Sequence, residues 1–115
     1  MAITRIDPGP RMSDAVIHGN TIYLAGQVGT PDTPVIQQTK EVLAAIDALL
    51  ARCGSSKSKI LSATIWLADI ADFAAMNSVW DSWVDRDNPP ARATSEGKLA
   101  APGYKVEIIV VAAKD

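Results

Sequence analysis

The sequence predicts an α+β domain in which two helices cover one face of a β-sheet, in the order β-β-β-α-β-α-β-β. Three observations carry that expectation. A long run of helical period starts near Val35 and ends at Cys53, short β-prone runs precede and follow it, and Pro89-Pro90 separates a second helix from two closing strands. Ile3 to Ile6 suits a short edge strand, which Pro8-Gly9-Pro10 terminates. Ala15 to His18 and Thr21 to Ala25 are β-prone runs separated by Gly19-Asn20, the pattern of a two-residue hairpin. Gly26-Gln27-Val28-Gly29 and the Thr/Pro/Asp-rich residues up to Pro34 read as a loop.

In the first helix, Thr33 is placed to cap and Pro34 suits the first turn. Its apolar stripe is Val35, Ile36, Val42, Leu43, Ile46, Leu49, Leu50 and Cys53, and Gly54 fits the left-handed position that ends helices. Ile60 to Leu67 reads as a strand, with Leu61, Ala63, Ile65 and Leu67 on one face and Ile60, Ser62, Thr64 and Trp66 on the other. Asp69 or Asp72 starts the second helix, whose stripe is Phe73, Met76, Trp80 and Trp83 or Val84. The closing strands are Ala91 to Glu96 and Lys105 to Ala112. Two helices cover only one face of such a sheet, yet the last strand is apolar on both faces. The remaining face therefore needs another copy of the chain, and an oligomer is predicted.

At 115 residues the chain is expected to form one domain with a modest core. Eleven basic and 13 acidic residues give a net charge of −2 without a charged block, which argues against nucleic-acid binding through a general electrostatic field. The single cysteine, Cys53, allows no intramolecular disulfide and makes no structural zinc site by itself. It falls on the first helix's apolar stripe and reads as core. His18, the only histidine, sits beside a hairpin turn and reads as a surface residue. With no apolar run of membrane-spanning length and no signal-like start, a cytoplasmic location is expected.

The most informative stretch is Asn88-Pro89-Pro90-Ala91-Arg92-Ala93-Thr94. In an extended segment Arg92 and Thr94 share a face. Glu107 interrupts the apolar run that follows, on the face of Ile109 and Val111. A carboxylate in such surroundings needs a partner, and Arg92 is the available cation.

These residues, with Leu99, Pro102 and Val106-Glu107-Ile108, resemble the C-terminal signature of the Rid family (reactive intermediate deaminases, also called YjgF). Ser13-Asp14-Ala15-Val16 with Leu24-Ala25-Gly26-Gln27-Val28-Gly29 is similar to the family's N-terminal hairpin. Leu67-Ala68-Asp69 with Asp72-Phe73-Ala74-Ala75-Met76-Asn77 is similar to its central strand-to-helix segment, so the match spans nearly the whole chain. The resemblance implies a chorismate-mutase-like fold with a mixed sheet, a homotrimer, and ligand clefts between subunits. It implies hydrolysis of 2-imino or enamine acids to 2-keto acids and ammonia, with no cofactor and no metal.

Carried over residue by residue, the resemblance gives Arg92 the grip on the substrate carboxylate, which suits a planar fork that stays charged. The alternative is a structural ion pair with Glu107. Glu107 is implied to orient a water and move protons, or else only to position Arg92. Thr94 stands where the best-known members carry cysteine. Its hydroxyl can hold a water, but without an adjacent base it is not a nucleophile, and an ordinary strand threonine is the alternative. Met12 stands where typical members have tyrosine, leaving apolar contact only. Asn77 matches a helix asparagine near the cleft, against a solvent-facing helix residue. The segment from Gly26 through Val28 offers backbone N–H groups to a carboxylate, against a plain turn. Two functions follow: a 2-imino acid deaminase, or a module that binds small 2-keto or carboxylic acids without turnover. An endoribonuclease, the family's other label, is the weakest reading for a slightly acidic chain with one histidine.

Overall fold

The computed structural model of the chain describes residues 1–114. Seven strands form one mixed sheet: β1 (Ile3–Ile6), β2 (Ala15–His18), β3 (Thr21–Leu24), β4 (Gln27–Val28), β5 (Ile60–Leu67), β6 (Ala91–Glu96) and β7 (Val106–Ala113). The helices are α1 (Val35–Arg52) and α2 (Phe73–Trp83). The spatial order is β1-β2-β3-β7-β5-β6, with β4 also against β7. All pairings are antiparallel except β5 with β6, the parallel pair that needs a crossover, and α2 supplies it.

Both helices pack on one face, where Ala15, Ile17, Ile22, Leu24, Ala63, Ile65, Leu67, Val106, Ile108 and Val110 meet the stripes of α1 and α2. The hairpin forms at Gly19-Asn20, with Gly19 at φ +62° and His18 opposite Thr21. Gly54 closes α1 at φ +77°, with Ser55 N–H donating to the Leu50 carbonyl (2.8 Å) and Gly54 N–H to the Ala51 carbonyl (3.2 Å). That double bond pattern is a Schellman motif.

Several local expectations are corrected. The presumed loop after β3 contains β4, so four strands precede α1; Gln27 pairs with Ile108 and Val28 with Glu107, continuing the sheet along β7. A register shift between Ile60 and Ser62 turns Ile60 into the core and leaves Leu61 52% exposed, reversing the alternation at that end of β5. Thr33 does not cap α1: its hydroxyl donates to the Thr30 carbonyl (2.8 Å), and the cap position falls on Pro34. Ile36 lies outside α1's buried stripe, which instead includes Gln38 and Thr39, both fully buried. Asp69 caps a short turn at Ile70–Asp72 through Ala71 N–H (2.9 Å), and α2 proper starts at Phe73 without a side-chain cap.

Gln38 explains how the loop before β7 is fixed. Its amide nitrogen donates to the carbonyls of Thr33 and Gly103, each at 3.0 Å, and its carbonyl accepts from Lys105 N–H at 2.9 Å. One buried amide thus ties the start of α1 to the entry of β7, with its hydrogen bonds satisfied as burial demands.

Candidate functional site

The register decides which site residues can meet. Arg92 stands opposite Ala63 and Thr94 opposite Ile65, both inward-facing positions of β5, so Arg92 and Thr94 lie on the helix-covered face. Glu107 stands opposite Trp66 and Val28, on the uncovered face. Arg92 and Glu107 therefore occupy opposite faces of one protomer's sheet. Within one protomer, the ion pair that the sequence offered as the structural alternative for Arg92 does not form.

Arg92 is half-buried on the edge strand β6 beneath α2. Its Nη1 donates to Asn77 Oδ1 at 2.7 Å, and its guanidinium carbon lies 5.2 Å from the Trp80 ring centroid and 5.9 Å from that of Phe73. Phe73, Asn77 and Trp80 recur at i, i+4 and i+7, the spacing that aligns residues on one helix face. Asn77 is thus turned toward the sheet and is not a solvent-facing residue. Among the described residues no carboxylate pairs with Arg92; the one ion pair, Arg52 with Asp7 (2.7 Å), lies elsewhere at the surface. Next along β6, the Thr94 hydroxyl is shielded from solvent and has no protein hydrogen-bond partner, which leaves a donor and an acceptor unused beside Arg92.

The second cluster forms around Glu107. A Cβ on Gly26 would run into the Glu107 carboxylate, so the absence of a side chain at Gly26 is what admits Glu107 there. Val28, 37% exposed, shares the uncovered face with Glu107. A depression of about 240 Å³ opens beside Glu107, bordered by Trp66, Lys98, Leu99, Ala100 and Ile109. Another, of about 250 Å³, lies along β5 and β6 over Ser62, Thr64, Ala91 and Ala93, which alternate with Arg92 and so stand on the face opposite to its guanidinium. Each is smaller than the ~300–1,000 Å³ of typical ligand pockets. Met12, 57% exposed, precedes β2 in the segment whose Gly9 N–H donates to the Met12 carbonyl (2.8 Å).

A further groove of about 260 Å³ separates α1 from α2, and two of its side chains are engaged with Trp83. Trp83 Nε1–H donates to Asp47 (2.9 Å), and Lys57 sits over the Trp83 ring. Among the described residues no group of three or more His, Cys, Asp or Glu side chains could hold a metal ion, and no helix is long and apolar enough to cross a membrane.

The sequence pointed to Arg92, Glu107, Thr94, Gly26, Val28, Asn77 and Met12 but missed the part that Phe73 and Trp80 play beside Arg92. Their shared spacing with Asn77 is the available signal, which the apolar stripe of the helix masks.

Comparison with known proteins agrees with this architecture. The sequence model of the family described as Endoribonuclease L-PSP matches residues 2–114. A RutC family protein of Haemophilus influenzae is 54% identical over 114 residues, covering 97% of this chain and 98% of that protein. A Capra hircus protein named 2-iminobutanoate/2-iminopropanoate deaminase is 33% identical over 107 residues, covering 87% of this chain and 77% of that protein. The crystal structure of a YjgF-family protein from Neisseria meningitidis superposes with a TM-score of 0.97 at 44% identity, covering 100% of this chain and 97% of that one. With its sheet order, its two helices on one face and these matches over nearly its full length, the chain belongs to the Endoribonuclease L-PSP family, the RutC/YjgF/Rid group.

Proposed function

We propose that this protein hydrolyses reactive 2-imino acids to 2-keto acids and ammonia, with Arg92 anchoring the substrate carboxylate. The observation that carries this reading is the charge of Arg92, which is half-buried and held only by neutral groups, Asn77, Trp80 and Phe73. A partly buried guanidinium without a counter-ion is poised for an anion, and its Nε and Nη2 edge matches a carboxylate bidentately. The name of the Capra hircus relative supports the same chemistry.

Because Arg92 and Thr94 lie on the opposite face of the sheet from Gly26, Val28 and Glu107, one ligand reaches both clusters only if a second copy supplies one of them. The small depression at Glu107 supports a cleft completed between subunits, in a homotrimer as the family resemblance implies. In that cleft Glu107 takes a proton from the water that adds to C2 and passes it to the imine nitrogen, giving a carbinolamine. It then passes the hydroxyl proton to nitrogen as the C–N bond breaks and C=O forms, leaving the keto acid and ammonia. Backbone N–H groups at Gly26 and Val28 and the side chain of Met12 complete the wall. Such imines hydrolyse unaided, so positioning and proton transfer alone are useful.

Thr94 favours a second reading. Its shielded hydroxyl has no adjacent base and offers no nucleophile, which suits a module that binds 2-keto acids without turnover. One assay separates the two. An amino-acid oxidase generates imine in the presence of semicarbazide, and the protein should compete with trapping. Absence of competition together with measurable 2-keto acid binding would leave the binding module. Arg92→Ala should lose about 30- to several-thousand-fold in ligand affinity, the cost of removing one side of a buried charge pair, while remaining folded. Near-wild-type binding by that variant rejects the anchor.

A further inference from the structure

We infer that Trp80 and Phe73 are positioning residues that hold the Arg92 guanidinium by its flat face, so that its free N–H edge stays aimed at the ligand carboxylate. The inference rests on the reading of Arg92 as carboxylate anchor and names what keeps that anchor in place. Arginine on an edge strand has a long, flexible stem, and an unpaired fork would sample many rotamers at an entropic cost to binding. Here the guanidinium meets two rings of α2, at 5.2 Å from Trp80 and 5.9 Å from Phe73. Stacking on a ring face uses none of the five in-plane N–H donors. Asn77 Oδ1 then takes one Nη1 donor at 2.7 Å, which fixes rotation within the plane. Nε and Nη2 remain unengaged by the protein, and these are the two parallel donors that a carboxylate accepts together.

A carboxylate of the same protomer hydrogen-bonded to the fork could also fix the arginine, but it would occupy the donors that the ligand needs. Aromatic faces and an amide carbonyl orient the cation and leave its charge available. The two rings differ in burial: Trp80 is 6% exposed and inside the core, whereas Phe73 is 41% exposed at the rim. Trp83 is distinguished from Trp80 by its indole N–H, which is committed to Asp47 on α1. Trp83 therefore joins the two helices, and Trp80 presents its face to β6.

The test uses the full chain and pyruvate as probe, with binding followed by calorimetry and the Arg92 Nε–H resonance assigned by its loss in Arg92→Ala. In the free wild-type protein that resonance should lie upfield of exposed arginines through the ring currents, and Trp80→Leu should move it back. Trp80→Leu should weaken pyruvate binding about 3- to 30-fold, the range of a partly desolvated cation–π contact, and Trp80→Phe should restore it to within about threefold. In imine hydrolysis the Leu variant should raise KM more than it lowers kcat. If Trp80→Leu does not fold, Phe73→Leu at the exposed rim decides, with a loss of about 2- to 5-fold expected. Unchanged pyruvate affinity in the folded Leu variants, with Arg92→Ala unable to bind, overturns the positioning role and keeps the anchor. Wild-type affinity in Arg92→Ala overturns the anchor and this inference with it.

Discussion

Arg92 carries a full charge into a partly buried place and finds only neutral company there, which is unusual enough to define the site. Glu107 is the complementary case, a carboxylate on the uncovered face accommodated by a glycine. Gly26→Ala would drive a methyl group into the Glu107 carboxylate. Because that carboxylate is the far end of a flexible side chain, it should swing aside at little cost in stability, and imine hydrolysis should fall as Glu107 is displaced. Denaturant unfolding and the trapping assay check the two effects separately, and full activity in both Gly26→Ala and Glu107→Gln would reject a part for Glu107 in the chemistry. Gln38 belongs to the same scale, because one amide satisfies two carbonyls and one N–H across α1 and the β7 entry. Gln38→Leu leaves those groups partly unpaired and should cost on the order of 3 kcal/mol, read as a lowered denaturant midpoint. Arg92, Glu107 and Gly26 could be named from the sequence because charged and glycine residues inside apolar or extended runs stand out. Gln38 could not, since a polar residue on a helix ordinarily faces water and only the loop crossing over α1 gives it partners.

Among the elements, α2 was legible as an apolar stripe, and one edge of that stripe also meets Arg92. Phe73, Asn77 and Trp80 form the edge of it that overhangs β6, and Met76 and Val79 fill the core. The pairing of β4 with β7 was hidden because two residues, Gln27 and Val28, carry no alternation to read. The segment before α1 is tied to the helix by Glu41, whose carboxylate accepts from Thr30 N–H (2.8 Å) and from the Thr30 hydroxyl (3.0 Å). The Thr30 N–H, seconded by its hydroxyl, holds the Glu41 carboxyl below the ordinary value of 4.5. A carboxyl depressed on folding contributes stability above its unfolded value and loses it as pH falls through the folded one. The difference in unfolding midpoint between wild type and Glu41→Gln should therefore be present at neutral pH, begin to shrink near pH 4.5 and vanish below it. A difference independent of pH would assign the effect to packing.

At the scale of the molecule, the sheet has one face covered by helices and one carrying Tyr23, Trp66, Ile109 and Val111, with Tyr23 49% and Trp66 37% exposed. Such an apolar sheet face is where the proposed second copy would associate. If a second copy covers this face as proposed, Ile109→Asp, at a half-buried position on it, should shift the protein toward monomer in analytical ultracentrifugation. If the cleft is shared, imine hydrolysis should fall with it, although Ile109 is neither Arg92 nor Glu107. A monomer with full activity would place the whole site within one chain.

Local chemistry by itself determined much of this protein. Helical period and Gly54 defined the course of α1, Gly19-Asn20 defined the hairpin, Pro89-Pro90 defined the start of β6, and the signature around Arg92 and Glu107 pointed to the family. Those features depend on neighbours along the chain, within reach of a turn or a strand's alternation. Tertiary structure decided the relations among them. Strand register put Arg92 and Glu107 on opposite faces, the irregularity at Ile60 and Ser62 turned Leu61 outward, and the crossover through α2 brought Trp80 and Phe73 to Arg92. A one-residue change of register exchanges the faces of a strand, and no local preference specifies which partner a strand will take.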